Sequence, residues 1–299
     1  MKIKFLPILG ILLFLAACSE DNSNEEPATF NLTHYKETRS YTFQGVDYQN
    51  IRDVQIEGNK IQSYTYESFT DGISQGLISE DDYTYNGDGR VIAKINSDSD
   101  SRQYYYDSQQ RVIGISAVIG GTEAYVRFVY LPDGIVYNER INAPYDDSNA
   151  HISSRCIIKL DDEGHVIWAG VDPDKNGIAD SVRNYVYSGQ DLSQVVFPDG
   201  SVSNFVYGTA KNSMLFLTLQ SYGHDMYNLI NAPLWAQGNE EHIRDIMDSE
   251  HLLVDTDTDS SMLELFENNF VQKITKYEYH EWTGEPVTVI TSTTEFFTD

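Results

Sequence analysis

Tyr83-Thr84-Tyr85-Asn86-Gly87-Asp88-Gly89-Arg90-Val91-Ile92 returns a short distance on as Tyr104-Tyr105-Tyr106-Asp107-Ser108-Gln109-Gln110-Arg111-Val112-Ile113. Aromatics two residues apart project from one face of a strand, where cross-strand aromatic pairs stabilise a sheet. Asn, Asp and Gly then supply the positive φ of a tight turn, and a β-branched run opens the next strand. Each unit is therefore a hairpin. Looser copies stand at Tyr64-Thr65-Tyr66, Phe128-Val129-Tyr130, Ile158-Lys159-Leu160, Tyr185-Val186-Tyr187 and Phe205-Val206-Tyr207, mostly 19 to 27 residues apart. That period leaves room for two strands and two turns and marks a repeat architecture. No stretch alternates strands with long helices. The sequence predicts an all-β chain, an extended antiparallel meander of repeated hairpins forming an open sheet.

One region departs from the repeat. Between about 210 and 255 the turn signals thin out, and Asn239-Glu240-Glu241-His242-Ile243-Arg244-Asp245-Ile246-Met247 has a capping residue, an acidic first turn and a shared apolar face at Ile243, Ile246 and Met247. One or two short helices are expected near 225–253, packed on the sheet. A last hairpin is expected from about Phe270 through Tyr277-Glu278-Tyr279 to Phe297.

The N-terminus reports an address. Lys2 and Lys4 precede an apolar run from Phe5 through Phe14, and Leu15-Ala16-Ala17-Cys18 closes it. The run falls short of the roughly 20 residues that span a bilayer and has the form of a cleavable export signal. It resembles the bacterial lipoprotein signal, which implies cleavage before Cys18, lipidation of that cysteine and attachment to the membrane through the lipid. Residues 18–29 are acidic and without apolar period, as in a disordered tether. Acidic residues behind the cysteine resemble the surface-export signal of Bacteroidota lipoproteins, which implies the outer membrane, facing the cell exterior. Residues 30–299 then form a single β-repeat domain.

The Tyr-x-Tyr-(Asp/Asn)-x-x-Gly-Arg-Val unit resembles the YD repeat of Rhs-type proteins. Together with the N-terminal signal, it makes the chain similar to a family of Bacteroidota surface lipoproteins with degenerate YD-like units. That resemblance covers roughly residues 40 to 299 and implies a half-barrel, porin-like sheet, a domain of unknown function without an established activity.

Composition narrows the partners. The chain carries 46 Asp and Glu against 20 Lys and Arg, a formal charge of −26, and removing residues 1–17 takes away two lysines and no acid. So acidic a surface excludes nucleic acid, whose phosphates need Lys and Arg. Once Cys18 is lipidated only Cys156 remains, so no internal disulfide forms. Cys156 shares a strand face with Ile158 and Leu160 and reads as a buried thiol.

The sharpest local signal is Asp172-Pro173-Asp174-Lys175-Asn176-Gly177-Ile178-Ala179-Asp180. Asp172, Asp174, Asn176 and Asp180 place side-chain oxygens at loop positions 1, 3, 5 and 9. Gly177 stands at 6, and Ile178 would offer its carbonyl at 7, as in the front of a calcium loop. Arg183 stands where an EF-hand has its glutamate. An ordinary Asp/Asn/Gly hairpin loop has the same composition, and both readings stay open. Asp255-Thr256-Asp257-Thr258-Asp259 repeats the spacing without a glycine.

Other motifs carry less. Gly72-Ile73-Ser74-Gln75-Gly76 matches a nucleophile elbow but sits between strands, with no helix to follow. The seven histidines show no metal spacing, and pairs such as Asp81-Asp82 and Asp161-Asp162 are what 46 acids supply by chance. Twenty-one Tyr could line a sugar-binding face with Trp168, Trp235 and Trp282 as anchors, or simply suit a half-buried sheet face. The sequence thus points to a non-enzymatic surface lipoprotein binding a glycan or protein ligand, with calcium stiffening one loop. The alternatives are an extracellular glycan-degrading enzyme, whose acid pair the sequence does not identify, and a structural accessory of a surface complex.

Overall fold

A computed structural model of the chain describes residues 30–253, 261–280 and 288–298. The expected export signal 1–17, Cys18 and the tether expected at 18–29, Asp255–Asp259 and Trp282 lie outside the described residues. The chain opens with four long strands, β1 (Leu32–Phe43), β2 (Val46–Glu57), β3 (Lys60–Thr70) and β4 (Ile73–Tyr85). Shorter ones follow: β5 (Val91–Asn96), β6 (Ser101–Tyr106), β7 (Val112–Ile119), β8 (Thr122–Tyr130), β9 (Ile135–Ile141) and β10 (Ile152–Leu160). Then come β11 (Val166–Val171), β12 (Asp180–Ser188), β13 (Asp191–Val196), β14 (Val202–Asn204) and β15 (Tyr207–Lys211). The departure from the repeat holds four helices, α1 (Ser213–Tyr222), α2 (His224–Ile230), α3 (Ala232–Gln237) and α4 (Glu240–Ile246). They are more numerous and begin earlier than the one or two expected near 225–253. The chain ends with β16 (His251–Leu253), β17 (Ser261–Leu265), β18 (Val271–His280) and β19 (Thr288–Thr298).

β1 to β14 pair in succession, each antiparallel to the next, and β1 also pairs with β19, which continues to β18 and β17. The result is one 17-stranded open sheet in which the two ends of the domain are zipped together. The meander expected from the repeat is observed.

The repeat turns share one mechanism. Asn86 Oδ1 accepts the backbone N–H groups of Asp88 and Arg90, Asp107 Oδ1 those of Gln109 and Arg111, and Asp161 Oδ1 those of Glu163 and His165. Each turn then needs a left-handed residue three places on, at Gly89 (φ 76°), Gln110 (φ 61°) and Gly164 (φ 93°), which is why Asx and Gly recur at that spacing.

The recurrent tyrosine has an equally local reason. The hydroxyl of Tyr85 donates to the carbonyl of Ile61, that of Tyr106 to Val91, that of Tyr130 to Val112 and that of Tyr207 to Leu192. Each ring spans back to the opening of an earlier strand, filling the core with its body and satisfying a backbone carbonyl with its tip. Burial pushes these phenols up, Tyr207 to about 12. These four repeat tyrosines are thus cross-links between hairpins and not an exposed platform.

The sheet curls. β13 and β18 are fourteen strand steps apart, about 65 Å if the sheet were flat at about 4.8 Å per step. Yet Glu250 N–H donates to the Gln190 carbonyl before β13 at 3.3 Å, Asn212 N–H donates to the Glu250 carbonyl at 2.9 Å, and Lys211 N–H donates to the Asn269 carbonyl before β18 at 2.8 Å. Three hydrogen bonds bridge the two turns, through the small β15–β16 ladder. The helical insertion fills the inner face at this seam. Met226, Leu229, Trp235, Ile243 and Ile246 pack on Tyr104, Val112, Phe128, Ile158 and Tyr185 of the sheet. Cys156 and Ile158 join this core on the shared face, and burial pushes the Cys156 thiol up to about 11.

Candidate functional site

Alternation dictates what the rest of the inner face displays. Tyr35 is buried against Phe296 and Val54. Two and four residues further along β1, the same face carries Glu37 and Arg39. Their cross-strand partners are Arg52 and Asn50 on β2 and Thr294 and Ser292 on β19, and Arg52 in turn faces Tyr66 on β3. Because the long strands run past the helices, these side chains are not covered by the insertion. They line a cavity of about 400 Å³ with Tyr64, Ser79 and Thr38.

Within it the Arg52 guanidinium lies 4.3 Å over the Tyr64 ring and its Nη1 is 3.4 Å from Glu37 Oε2. A second cavity of about 300 Å³ adjoins it through Glu37, Ser292 and Thr294 and runs under the start of α1, floored by Met214, Leu252, Ile274 and Phe296. On the other side Tyr64 leads to a smaller pocket of about 130 Å³ with the ion-paired Asp81 and Lys94, and Arg102. The three form one trough, with aromatic rings, hydroxyls and cationic hydrogen-bond donors along it. Sequence reasoning did not find it, because its residues come from strands separated by most of the chain. Their alternation with buried residues on β1 to β3 is the only signal.

The 172–180 loop is built around a different charge. Asp172 is fully buried. Its Oδ1 accepts the N–H of Asn176 and its Oδ2 that of Gly177, while Arg155 Nη1 donates to Oδ2 at 3.0 Å and to the Lys175 carbonyl at 2.9 Å. Asn176 Oδ1 accepts the Ile178 N–H. Asp174, Asn176, Ile178 and Asp180 are exposed. Among the described residues, the carboxylates of Asp172, Asp174 and Asp180 do not form a group converging within 4.8 Å. The loop extends the Asx chemistry of the repeat turns, with a guanidinium beside its buried acid. Arg155 also pairs with buried Glu139 at 2.6 Å, as does Arg127 at 2.6 Å, so the outer face carries a ladder of two arginines and two acids.

A second polar cluster lies where the insertion meets the sheet. His165 and Asp248 are buried, and His224, at the start of α2, is half-buried. Asp248 accepts from the Tyr187 hydroxyl at 2.9 Å and from Asn228 Nδ2 at 2.6 Å, and His224 Nε2 lies 3.6 Å from Asp248 Oδ2. Burial, followed by the neighbouring Asp248 charge, holds the Tyr187 phenol well above its ordinary value. No spacing in the sequence announces this gathering of residues 165, 224 and 248.

The remaining motifs fall in ordinary places. Ser74 lies just after the β3–β4 turn, exposed, and donates to Glu67. Asp81 is buried and ion-paired while Asp82 is exposed. Trp235 is fully buried, with its Nε1–H on Asn228 Oδ1 at 3.2 Å, and Trp168 is half-buried, so Trp235 is a core residue and no surface anchor. Asn239 caps α4 by accepting the His242 N–H, and Ile243, Ile246 and Met247 are buried.

No family model matches the chain, and none of the curated proteins does. Among solved structures, it is similar to a porin-like protein from Bacteroides uniformis at 12% identity and a TM-score of 0.39, over 89% of this chain and 97% of that one. It is also similar to part of the Tc holotoxin pore of Photorhabdus luminescens at 11% identity and a TM-score of 0.24, over 80% of this chain and 15% of that one.

Proposed function

We propose that the chain is a non-catalytic binding module whose inner trough holds an extended, hydroxyl-rich polymer of the glycan class. The observation that carries this reading is the convergence of Tyr64 and Tyr66 with Arg39, Arg52, Asn50 and Glu37 in one cavity of about 400 Å³. Binding sites for small ligands have this size and this mixture of apolar surface with a few oriented polar groups. Sugars offer a face for aromatic stacking and hydroxyls that suit charged donors and acceptors, whose hydrogen bonds are the stronger kind.

A binding role is favoured over hydrolysis by the charge of the cavity. Glycoside hydrolysis needs two carboxyl groups about 5 to 9.5 Å apart; Glu37 is the one carboxylate lining this cavity, and in the adjoining pocket Asp81 is ion-paired with Lys94 while Asp100 accepts the Gly120 N–H. The export signal supports a lipid on Cys18 and an address at the outer membrane, where extracellular glycans are within reach. Calcium at residues 172–180 is no part of this reading, because Arg155 already neutralises Asp172.

The test is a glycan array followed by calorimetry on the hits, with Tyr66→Ala and Arg52→Ala as variants. The reading expects a polysaccharide hit whose affinity falls about tenfold or more in each variant. Hits that survive both substitutions, or an array without hits, would contradict it.

A further inference from the structure

The cluster at the base of the insertion holds a buried carboxylate that, among the described residues, no lysine or arginine pairs. Asp248 has no solvent-exposed side-chain surface, and among the described residues its contacts are a phenol, an amide and His224, with no lysine or arginine. The phenol and amide satisfy its lone pairs but bring no charge, and buried carboxylates are ordinarily paired with a cation or bound to a metal. His224 Nε2 is 3.6 Å away, longer than a hydrogen bond. Two ligands of one tetrahedral zinc, at about 2.0–2.1 Å from the ion, stand about 3.3 Å apart. The rings of His165 and His224 have centroids 4.8 Å apart, close to the spacing of roughly 5 Å that two imidazoles on such an ion adopt.

We propose that His165, His224 and Asp248 bind one divalent cation of the zinc class. One nitrogen from each imidazole and one carboxylate oxygen lie within 4.8 Å of one another, a donor set that suits zinc and its first-row neighbours. The surrounding groups hold the ligands in place, as outer-shell contacts do in metal sites. Asn228 is fixed by Trp235 Nε1 and by the Gly164 carbonyl, and it holds Asp248. Asp161 Oδ2 lies 3.2 Å from His165 Nδ1 and Gln190 Oε1 lies 3.0 Å from Nε2, so the ion displaces one of these two contacts. The His224 side chain is 22% exposed and gives the ion its route in. The three ligands come from the turn before β11, the start of α2 and the segment after α4. The ion therefore ties the start of α2 and the segment after α4 to the sheet.

The experiment uses the full chain, stripped with chelator and titrated with Zn²⁺ by calorimetry and with Co²⁺ by visible absorption. The inference expects one equivalent of Zn²⁺, the d–d bands of tetrahedral Co²⁺, and an affinity lowered by more than about tenfold in His224→Gln and in Asp248→Asn. Circular dichroism of each variant confirms that it is folded, and the half-exposed His224 keeps the test usable if Asp248→Asn is not. Failure of the folded wild-type chain to take up a stoichiometric ion would overturn the inference. So would uptake that is unchanged in folded His224→Gln.

Discussion

Arg155 Nη1 stands 3.0 Å from Asp172 Oδ2, at the one buried carboxylate of the loop that otherwise reads as a calcium site. The guanidinium supplies the positive charge and, through the Lys175 carbonyl, also fixes the turn. Arg155→Ala strips a partner from two buried acids, Asp172 and Glu139, and is expected to cost about 3–5 kcal/mol, measured by urea unfolding. Melting curves of the chelator-stripped wild-type chain with and without added calcium should superimpose. A calcium-dependent rise lost in Asp174→Ala would return the loop to the metal reading.

The same pair sets an acid limit. Burial works to raise the Asp172 carboxyl, but the Gly177 N–H, Arg155 and the Asn176 N–H outweigh it and hold it below its ordinary value. A depressed folded pKa contributes stability that is complete above the unfolded value of about 3.9 and is lost as pH falls through the lower folded one. Melting temperatures followed from about pH 6 downward should therefore fall less steeply in Asp172→Asn than in the wild-type chain.

Gly114 makes room for Tyr145. A Cβ on Gly114 would lie 2.3 Å from Tyr145 Cγ, and that ring stacks on Tyr105 at 4.5 Å. Gly114→Ala should destabilise by about 1–3 kcal/mol. Adding Tyr145→Ala should recover part of the loss, a coupling that a double-mutant cycle measures directly.

Trp235 anchors the insertion. It is fully buried, lies edge-on to Tyr185 at 4.8 Å, and its carbonyl accepts the Tyr185 hydroxyl. Trp235→Ala should cost about 3–5 kcal/mol and release the helices before the sheet. Hydrogen exchange would register this as lost protection in 213–246, with β1 to β4 spared.

The meander was legible in the sequence because its causes are local. An Asx residue at 86, 107 or 161 and a left-handed residue three places on dictate each turn, and tyrosine at i and i+2 dictates the inner face. The pairing of β1 with β19 was not legible, since nothing local says which distant strand completes an edge. Helix α1 escaped notice because Met214, Leu215, Phe216 and Leu217 give it apolar residues all round, which hides the helical period. The His165 cluster left one trace. His165 follows Asp161 at the position where Arg90 and Arg111 follow Asn86 and Asp107, a histidine in place of the repeat's arginine. Arg155 stands outside its loop, so loop spacing could not reveal the charge that Asp172 already faces.

The trough is tested most directly by hydrogen–deuterium exchange of the full chain with and without a bound oligosaccharide selected on the array. The account predicts added protection in residues 37–39, 50–52, 64–66 and 292–294, along one inner face of four neighbouring strands. Protection confined to the outer-face cavity lined by Tyr105, Tyr125 and Tyr145, with the inner strands unchanged, would contradict it.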